Sequence, residues 1–287
     1  MKLCIVYLSS PVESKLSNKQ LRFDMLVESI KNTSKIFNKH DYIIFNEDFT
    51  QEHENKIKNI HSKCIFYKLD FKRNDLPFKK FARPKGYMLM CRFFACEVHD
   101  ILSNMGYTHY IRFDDDSFLI EPFIEYNKFI NIIKNNDYTF RTIFFDGQKK
   151  FNNNIPMQSL YNFTTKFLED ENKTIDYNYL HKINFLKNNL YTGLCPYNNF
   201  HSSSLKLWNC DLVKKYTTKI KNINGCLTNF WMDANIHSMI IFMLLPHTNY
   251  KLYPILNFGY RHNRHFSIIN SYSFVYKSDE DFFPIEE

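Results

Sequence analysis

Apolar positions in this chain follow two rhythms that alternate from the N-terminus onward. Residues 3–8 (Leu-Cys-Ile-Val-Tyr-Leu) form a compact apolar run closed by Ser9-Ser10-Pro11, which predicts a buried first strand. Residues 22–37 then show helical spacing, with Phe23, Leu26, Ile30 and Ile36 on the inner face. Residues 42–45 predict a second strand ending in Asn46-Glu47-Asp48, a polar helix follows around 50–60, and residues 64–67 predict a third strand. From 87 to 102, Tyr87, Met90, Cys91, Phe94, Val98 and Ile101 recur every three or four residues, giving one apolar helix face. Residues 110–113 predict the next strand directly after it, 137–145 another, and 158–171 a weaker helix. The polar stretch 172–189 reads as a loop region over the site.

The last third repeats the pattern. Asp233 stands where a helix N-cap would stand, and Ile236, Met239, Ile240, Met243 and Leu244 follow at helical spacing until Pro246. Residues 252–258 predict a strand leading into Gly259-Tyr260-Arg261-His262. Strands alternating with helices at this spacing imply an α/β fold, a mostly parallel sheet with helices on its faces. No repeat or linker-like stretch divides the chain, so residues 1–287 read as one domain.

Composition narrows the class. The 287 residues can bury a sizeable core, and 44% hydrophobic with 23% charged residues is the balance of a soluble globular protein. The 17% aromatic content accompanies abundant Asn, Lys and Ile, so it reflects a general bias rather than stacking platforms. The net charge of +7 permits an anionic partner. The basic residues interleave with acidic ones and no basic helix or arm stands out, so nucleic acid is not the expected partner. The Lys- and Arg-rich stretch 72–85 reads as a solvated charge run, with phosphate contact as the alternative. Seven scattered cysteines form no C-x-x-C pair and read as reduced thiols. The N-terminal apolar run is too short for a signal peptide, and the run 239–245 is too short to span a bilayer. A cytoplasmic or otherwise soluble protein is expected.

The chemistry concentrates at Asp114-Asp115-Asp116, which follows the apolar strand 110–113. Three adjacent carboxylates repel one another unless a cation or hydrogen-bond donors neutralise them. Asp114 and Asp116 lie two apart, so extended backbone points both to one side. Hard oxygens at that spacing suit Mn²⁺ or Mg²⁺, which can in turn hold a diphosphate. An acidic turn capping the next element is the plain alternative. His262, after the last predicted strand, is either a further metal ligand or a surface histidine.

In order along the chain, several segments resemble one family. They are Phe45-Asn46-Glu47-Asp48-Phe49-Thr50-Gln51-Glu52, Gly86-Tyr87-Met88-Leu89-Met90-Cys91-Arg92-Phe93-Phe94, and the strand with its acids, Tyr110 to Asp116. Asn199-Phe200, Leu205-Lys206-Leu207-Trp208, Trp231-Met232-Asp233-Ala234-Asn235-Ile236-His237-Ser238 and Gly259-Tyr260-Arg261-His262 complete the set. Nearly the whole chain resembles glycosyltransferase family 15, the fungal Golgi α-1,2-mannosyltransferases, whose fold is of the GT-A type.

That resemblance implies retaining transfer of mannose from GDP-mannose to a glycan or glycoprotein acceptor, with Mn²⁺ (or Mg²⁺) as cofactor. Position by position, it assigns Asp114, Asp116 and His262 to the metal, and Asp114, Arg92 and Tyr260 to the donor. Tyr87, Asp233 and His201 fall on active-site positions. His201 is a departure, because the family has Glu after Asn-Phe, considered there as a nucleophile. Imidazole is a poor substitute for such a carboxylate. Three readings follow: direct attack assisted by the leaving group with His201 only positioning, altered chemistry, or a silent relative that binds sugar nucleotides or glycans. A transferase using another nucleotide sugar is also open, because the first strand ends without the family's Arg. A phosphotransferase is less well supported, since no Gly-rich phosphate loop is present.

Overall fold

The computed structural model describes residues 1–12, 21–71, 75–80, 83–146, 155–254 and 258–262. The chain opens with strand β1 (Leu3–Ser9), helix α1 (Arg22–Phe37), β2 (Asp41–Asn46), α2 (Gln51–Lys58) and β3 (Cys64–Lys68). These follow the predicted elements closely, because each has one unambiguous period. Thr50 caps α2, accepting from the His53 backbone N–H.

The stretch expected as one helix from 87 to 102 is two, α3 (Lys85–Cys96) and α4 (Val98–Asn104). Glu97 interrupts them with φ at −127°. Its carboxylate is drawn into ion pairs with Arg92 and Lys221. Strand β4 (His109–Phe113), β5 (Ser117–Ile120) and α5 (Tyr126–Asn135) come next. The single strand expected over 137–145 is also two, β6 (Tyr138–Phe140) and β7 (Ile143–Phe145), which enter different sheets. Arg141 and Thr142 between them bond elsewhere: the Arg141 guanidinium donates to the Phe258 carbonyl, and the Thr142 carbonyl accepts from the Tyr197 N–H.

After α6 (Ile155–Asp170), the region read as a loop over the site contains α7 (Tyr177–Lys182), β8 (Leu186–Lys187) and β9 (Leu190–Tyr191). Asp176 caps α7, and Asn188 and Asn189 both take positive φ (52° and 59°) to close the tight β8–β9 hairpin. The chain continues through β10 (Leu194–Pro196), β11 (Phe200–Ser204), α8 (Leu205–Asn209), α9 (Asp211–Asn222), α10 (Gly225–Asn229) and α11 (Asp233–Met239). Beyond α11 the helix widens: the Leu245 N–H reaches back five residues to the Ile240 carbonyl, and a 3₁₀ turn (Leu245–His247) containing Pro246 ends it. Of the strand expected over 252–258, β12 (Leu252–Pro254) is a strand, 255–257 fall outside the described residues, and Phe258 leads into β13 (Gly259–His262).

Among the described residues, seven strands form the main sheet in the order β12-β6-β11-β4-β1-β2-β3. Six run parallel, and β11 alone is antiparallel to its neighbours β4 and β6. β4 is the central strand. The inner strands are apolar on both faces because helices cover both. One face packs Cys4, Val6, Ile43, Phe45 and Tyr110 against α3, α6 and α11; the other packs Ile5, Tyr7, Ile44, Ile111 and Phe113 against α1 and α5. β3, at the edge, keeps Ile65 and Tyr67 exposed. All seven cysteines are free thiols, as expected. No helix among the described residues is long and apolar enough to cross a membrane.

Candidate active site

β4 ends at Phe113, so Asp114, Asp115 and Asp116 emerge at the C-terminal end of the central strand, where ligands enter open α/β sheets. The three carboxylates do different things. Asp115 is fully buried and holds the fold together: its carboxylate accepts from Arg22 Nε (2.8 Å) and Nη2 (2.5 Å) at the start of α1, and from Ser9 Oγ (2.7 Å) at the end of β1. Asp114 and Asp116 both face His262, but not from the extended backbone expected: 114–117 form a turn closed by the Ser117 N–H on the Asp114 carbonyl (3.1 Å). His262 Nε2 lies 3.0 Å from Asp116 Oδ1 and 3.4 Å from Asp114 Oδ2.

β13 carries His262 there by pairing antiparallel with β5, in a register that sets His262 opposite Ser117. Two features fix that register. A Cβ on Gly259 would lie 2.4 Å from the carbonyl oxygens of both Ile120 and Glu121, so only glycine allows the approach. Tyr260, assigned to the donor by resemblance, is buried and bridges Ser117 Oγ (2.7 Å) and the Asn199 carbonyl (3.2 Å) through its hydroxyl. It positions β13 beside the acids.

Charge is concentrated here. Burial tends to raise the Asp114 carboxyl, but Arg112 and His262 outweigh it and hold the group well below the usual carboxylate range. Burial likewise opposes a charge on His262, yet Asp114 and Asp116 push its pKa well above the ordinary histidine value. The other ring nitrogen, Nδ1, lies 2.8 Å from the Tyr197 hydroxyl. A neutral His262 with Nδ1–H donating to Tyr197 would turn its Nε2 lone pair toward the carboxylates.

Behind Asp114 lies a second ion cluster. Arg112, only 2% exposed, donates through Nη1 to Asp233 Oδ2 (2.7 Å) and through Nε and Nη2 to Asp114 Oδ1 (3.1 and 3.0 Å). Its guanidinium rests 3.5 Å over the centre of the Phe94 ring. Asn198 Nδ2 donates to the same Asp233 oxygen (2.9 Å). Asp233 is therefore not a cap: Met232 holds that position, and the Asp233 carboxylate, on the first residue of α11, turns to Arg112 and Asn198.

The remaining sequence-assigned residues divide. Tyr87, on α3, comes close: its hydroxyl is 4.0 Å from Met232 Sδ, beside Asp233 in sequence. Burial, with Cys91 and Asp233 nearby, raises its phenol well above the ordinary value. Arg92 is not brought to the cluster; it pairs with Glu97, beside Lys221 of α9. His201 lies 1% exposed on β11 with both nitrogens engaged, Nε2 with the Tyr110 hydroxyl (2.9 Å) and Nδ1 with the Asn198 carbonyl (2.9 Å). A carbonyl only accepts, so Nδ1 carries the proton and Tyr110 donates to Nε2. Burial holds the ring neutral, its pKa well below the usual histidine range.

Sequence reading singled out neither Arg112, Tyr197, Asn198 nor Arg22 as a site residue. One signal was available for Arg112: a charge inside a strand whose neighbours are all apolar.

Among the described residues, no three His, Cys, Asp or Glu side chains are spaced to enclose a metal ion by themselves. The donor set nevertheless fits an open divalent site. It offers two carboxylates and an imidazole, and Asp116 Oδ1 is buried with no aligned hydrogen bond although Nε2 stands 3.0 Å away.

A mostly parallel sheet flanked by helices, with an acidic cluster at the end of its central strand, defines a GT-A glycosyltransferase architecture. The comparisons narrow it. No family model matches the chain. Glycolipid 2-alpha-mannosyltransferase 1 of Candida albicans is 26% identical over 264 residues, 83% of this chain and 59% of that protein. O-glycoside alpha-1,2-mannosyltransferase homolog 5 of Schizosaccharomyces pombe is 24% identical over 84% of this chain and 67% of its own length. The chain thus spans little more than half of the first of these relatives. In structure, core-mannan synthase A of Aspergillus fumigatus, solved with Mn and GDP, superposes with a TM-score of 0.72 at 18% identity, covering 91% of this chain and 74% of that one. The mannosyltransferase Ktr4p of S. cerevisiae in complex with GDP gives 0.71 at 19%, covering 91% and 71%. By these likenesses the chain has the GT-A fold and is similar in sequence to fungal α-1,2-mannosyltransferases.

Proposed function

We propose that this protein is a metal-dependent retaining glycosyltransferase that moves mannose from GDP-mannose to a mannoside or glycan acceptor. The observation that carries the reading is the convergence of Asp114, Asp116 and His262 at the end of the central strand. Relatives named as α-1,2-mannosyltransferases and a fold shared with GDP-bound mannosyltransferases support the donor.

Asp116 and His262, with Asp114 beside them, would hold Mn²⁺ or Mg²⁺, which supplies positive charge to a diphosphate leaving group. The chain's own residues do the rest. Tyr197 and Tyr260 orient the ligands. Arg112 keeps Asp114 ionised and fixes one oxygen of Asp233. Asp233 and Tyr87 lie on the α3/α11 side, where a sugar would sit against the sheet. His201 does not offer a nucleophile, because both its nitrogens are committed inside the core. That favours direct attack. The acceptor oxygen bonds to the anomeric carbon as the sugar–phosphate bond breaks, and the acceptor proton passes to the departing diphosphate.

A catalytically silent sugar-nucleotide binder is the second reading, favoured by the lack of a carboxylate at position 201. Incubation with radiolabelled GDP-mannose, Mn²⁺ and mannoside acceptors separates the two. Transfer that EDTA abolishes is the expected result. Metal-dependent nucleotide binding with no turnover of any GDP- or UDP-sugar would overturn the enzyme reading in favour of the second.

A further inference from the structure

One residue before the start of β11, the side-chain amide of Asn199 is buried and unmatched among the described residues. Asn199 is 4% exposed, and among the described residues neither its Oδ1 nor its Nδ2 has a hydrogen-bond partner. Its backbone carbonyl, by contrast, accepts from the Asp114 N–H (3.1 Å) and the Tyr260 hydroxyl (3.2 Å). Buried amides are ordinarily paired, and an orphaned donor and acceptor on one side chain weaken the folded state. That unused bonding capacity stands beside the acidic cluster.

The sheet register says where the amide stands. Phe200 is opposite Phe113, and the Asp114 N–H bond to the Asn199 carbonyl extends the ladder by one pair, so Asn199 is opposite Asp114. Side chains at opposite positions share a face, with Cβ atoms roughly 5 Å apart. Phe200 goes to the other face, among Phe113, Phe258 and Tyr260. Asn199 therefore shares the side that carries Asp114, Arg112 and His201, while its neighbour Asn198 reaches Asp233.

We propose that Asn199 recognises hydroxyl groups of the transferred sugar. This rests on the sugar-nucleotide reading of the site. The chemistry of the amide selects the ligand: Oδ1 accepts and Nδ2 donates, and neighbouring hydroxyls of a pyranose supply a donor and an acceptor together. A diphosphate only accepts, so it would satisfy Nδ2 and leave Oδ1 unmet. A cation would do the reverse. Asn199 is thus a specificity-determining residue for the donor's hexose, placed opposite Asp114 in the sheet register.

Two measurements test this. Urea unfolding of the unliganded protein should show Asn199→Leu, similar in volume but without the orphaned groups, at least as stable as wild type. A clear loss of stability would mean that the amide is a structural element, and the proposal falls. Calorimetry in the presence of Mn²⁺ then compares a sugar nucleotide with its free nucleotide, using whichever of GDP-mannose with GDP or UDP-glucose with UDP the wild type binds. Asn199→Ala should weaken sugar-nucleotide binding about tenfold, the worth of two neutral hydrogen bonds, and free-nucleotide binding less than twofold. Equal losses for both ligands, or none for either, would overturn the role of Asn199 alone. A wild-type protein that binds no nucleotide would overturn the sugar-nucleotide reading itself.

Discussion

Arg112 and Asp233, both almost wholly buried, form an ion pair 2.7 Å long between the central strand β4 and the first turn of α11. The same guanidinium holds Asp114 at 3.0 Å. One cation thus links the strand that carries the acidic cluster to the helix that carries the site's remaining carboxylate.

Removing that cation should damage the fold as well as the site. Arg112→Met leaves Asp233 and Asp114 buried or half-buried without their shared partner, which should cost about 3–5 kcal/mol in urea unfolding. Adding Asp233→Leu should return part of the loss, since the two effects are coupled. A loss below about 1 kcal/mol would show that the pair does not hold the layers together.

Tyr197 acts through His262. Tyr197→Phe removes the hydroxyl 2.8 Å from Nδ1 and leaves the ring stacking edge-on to the imidazole in place. Outer partners of this kind typically tune metal affinity by about 10–100-fold. Mn²⁺ titration in the presence of GDP should show a weakening in that range, with the thermal midpoint little changed. Unaltered Mn²⁺ affinity would remove Tyr197 from the site.

Acid should destabilise the protein from about pH 6.5 downward. His99, His201 and His237 are fully buried near one another, and burial holds all three below the ordinary value, His237 at about 4. The sign follows from proton binding: below about pH 6.5 the unfolded chain takes up these protons and the folded one does not, so stability present above 6.5 is lost as pH falls toward 4. Asp115 works the other way, since burial raises it to about 7 against the pull of Arg22, and His262 does so near neutrality. The net fall in unfolding free energy between pH 6.5 and 5 should be roughly 2–3 kcal/mol. Constant or rising stability over that range would mean the histidines are charged in the folded state.

Most of the sheet was legible because its strands carry one period each. Residues 3–8, 42–45, 64–67 and 110–113 are short apolar runs that leave no competing assignment. The errors fall where tertiary contacts override a local pattern. The periodicity of 87–102 continues through Glu97, and only its partners Arg92 and Lys221 reveal the break. The apolar run 137–145 hides a change of sheet that Arg141 and Thr142 make by bonding outside it. Asp233 looks like a cap from sequence because its true partner, Arg112, lies 121 residues away. At the site, Asp114 and Asp116 were expected to share a direction on extended backbone; both face His262, but from a turn closed by the Ser117 N–H on the Asp114 carbonyl. The separate task of Asp115 was invisible, since Arg22 and Ser9 reach it only through the fold.

The claim on which the account rests is that Asp114, Asp116 and His262 form a metal-dependent nucleotide site. Calorimetric titration of GDP into wild type and Asp116→Ala, each with Mn²⁺ and with EDTA, tests it most directly. Wild type should bind GDP with Mn²⁺ and lose most of that affinity in EDTA. Asp116→Ala should bind weakly in both conditions while unfolding at nearly the wild-type urea concentration, because deleting one charge from a self-repelling cluster costs the fold little. GDP binding by Asp116→Ala that matches wild type and still responds to Mn²⁺ would contradict the account.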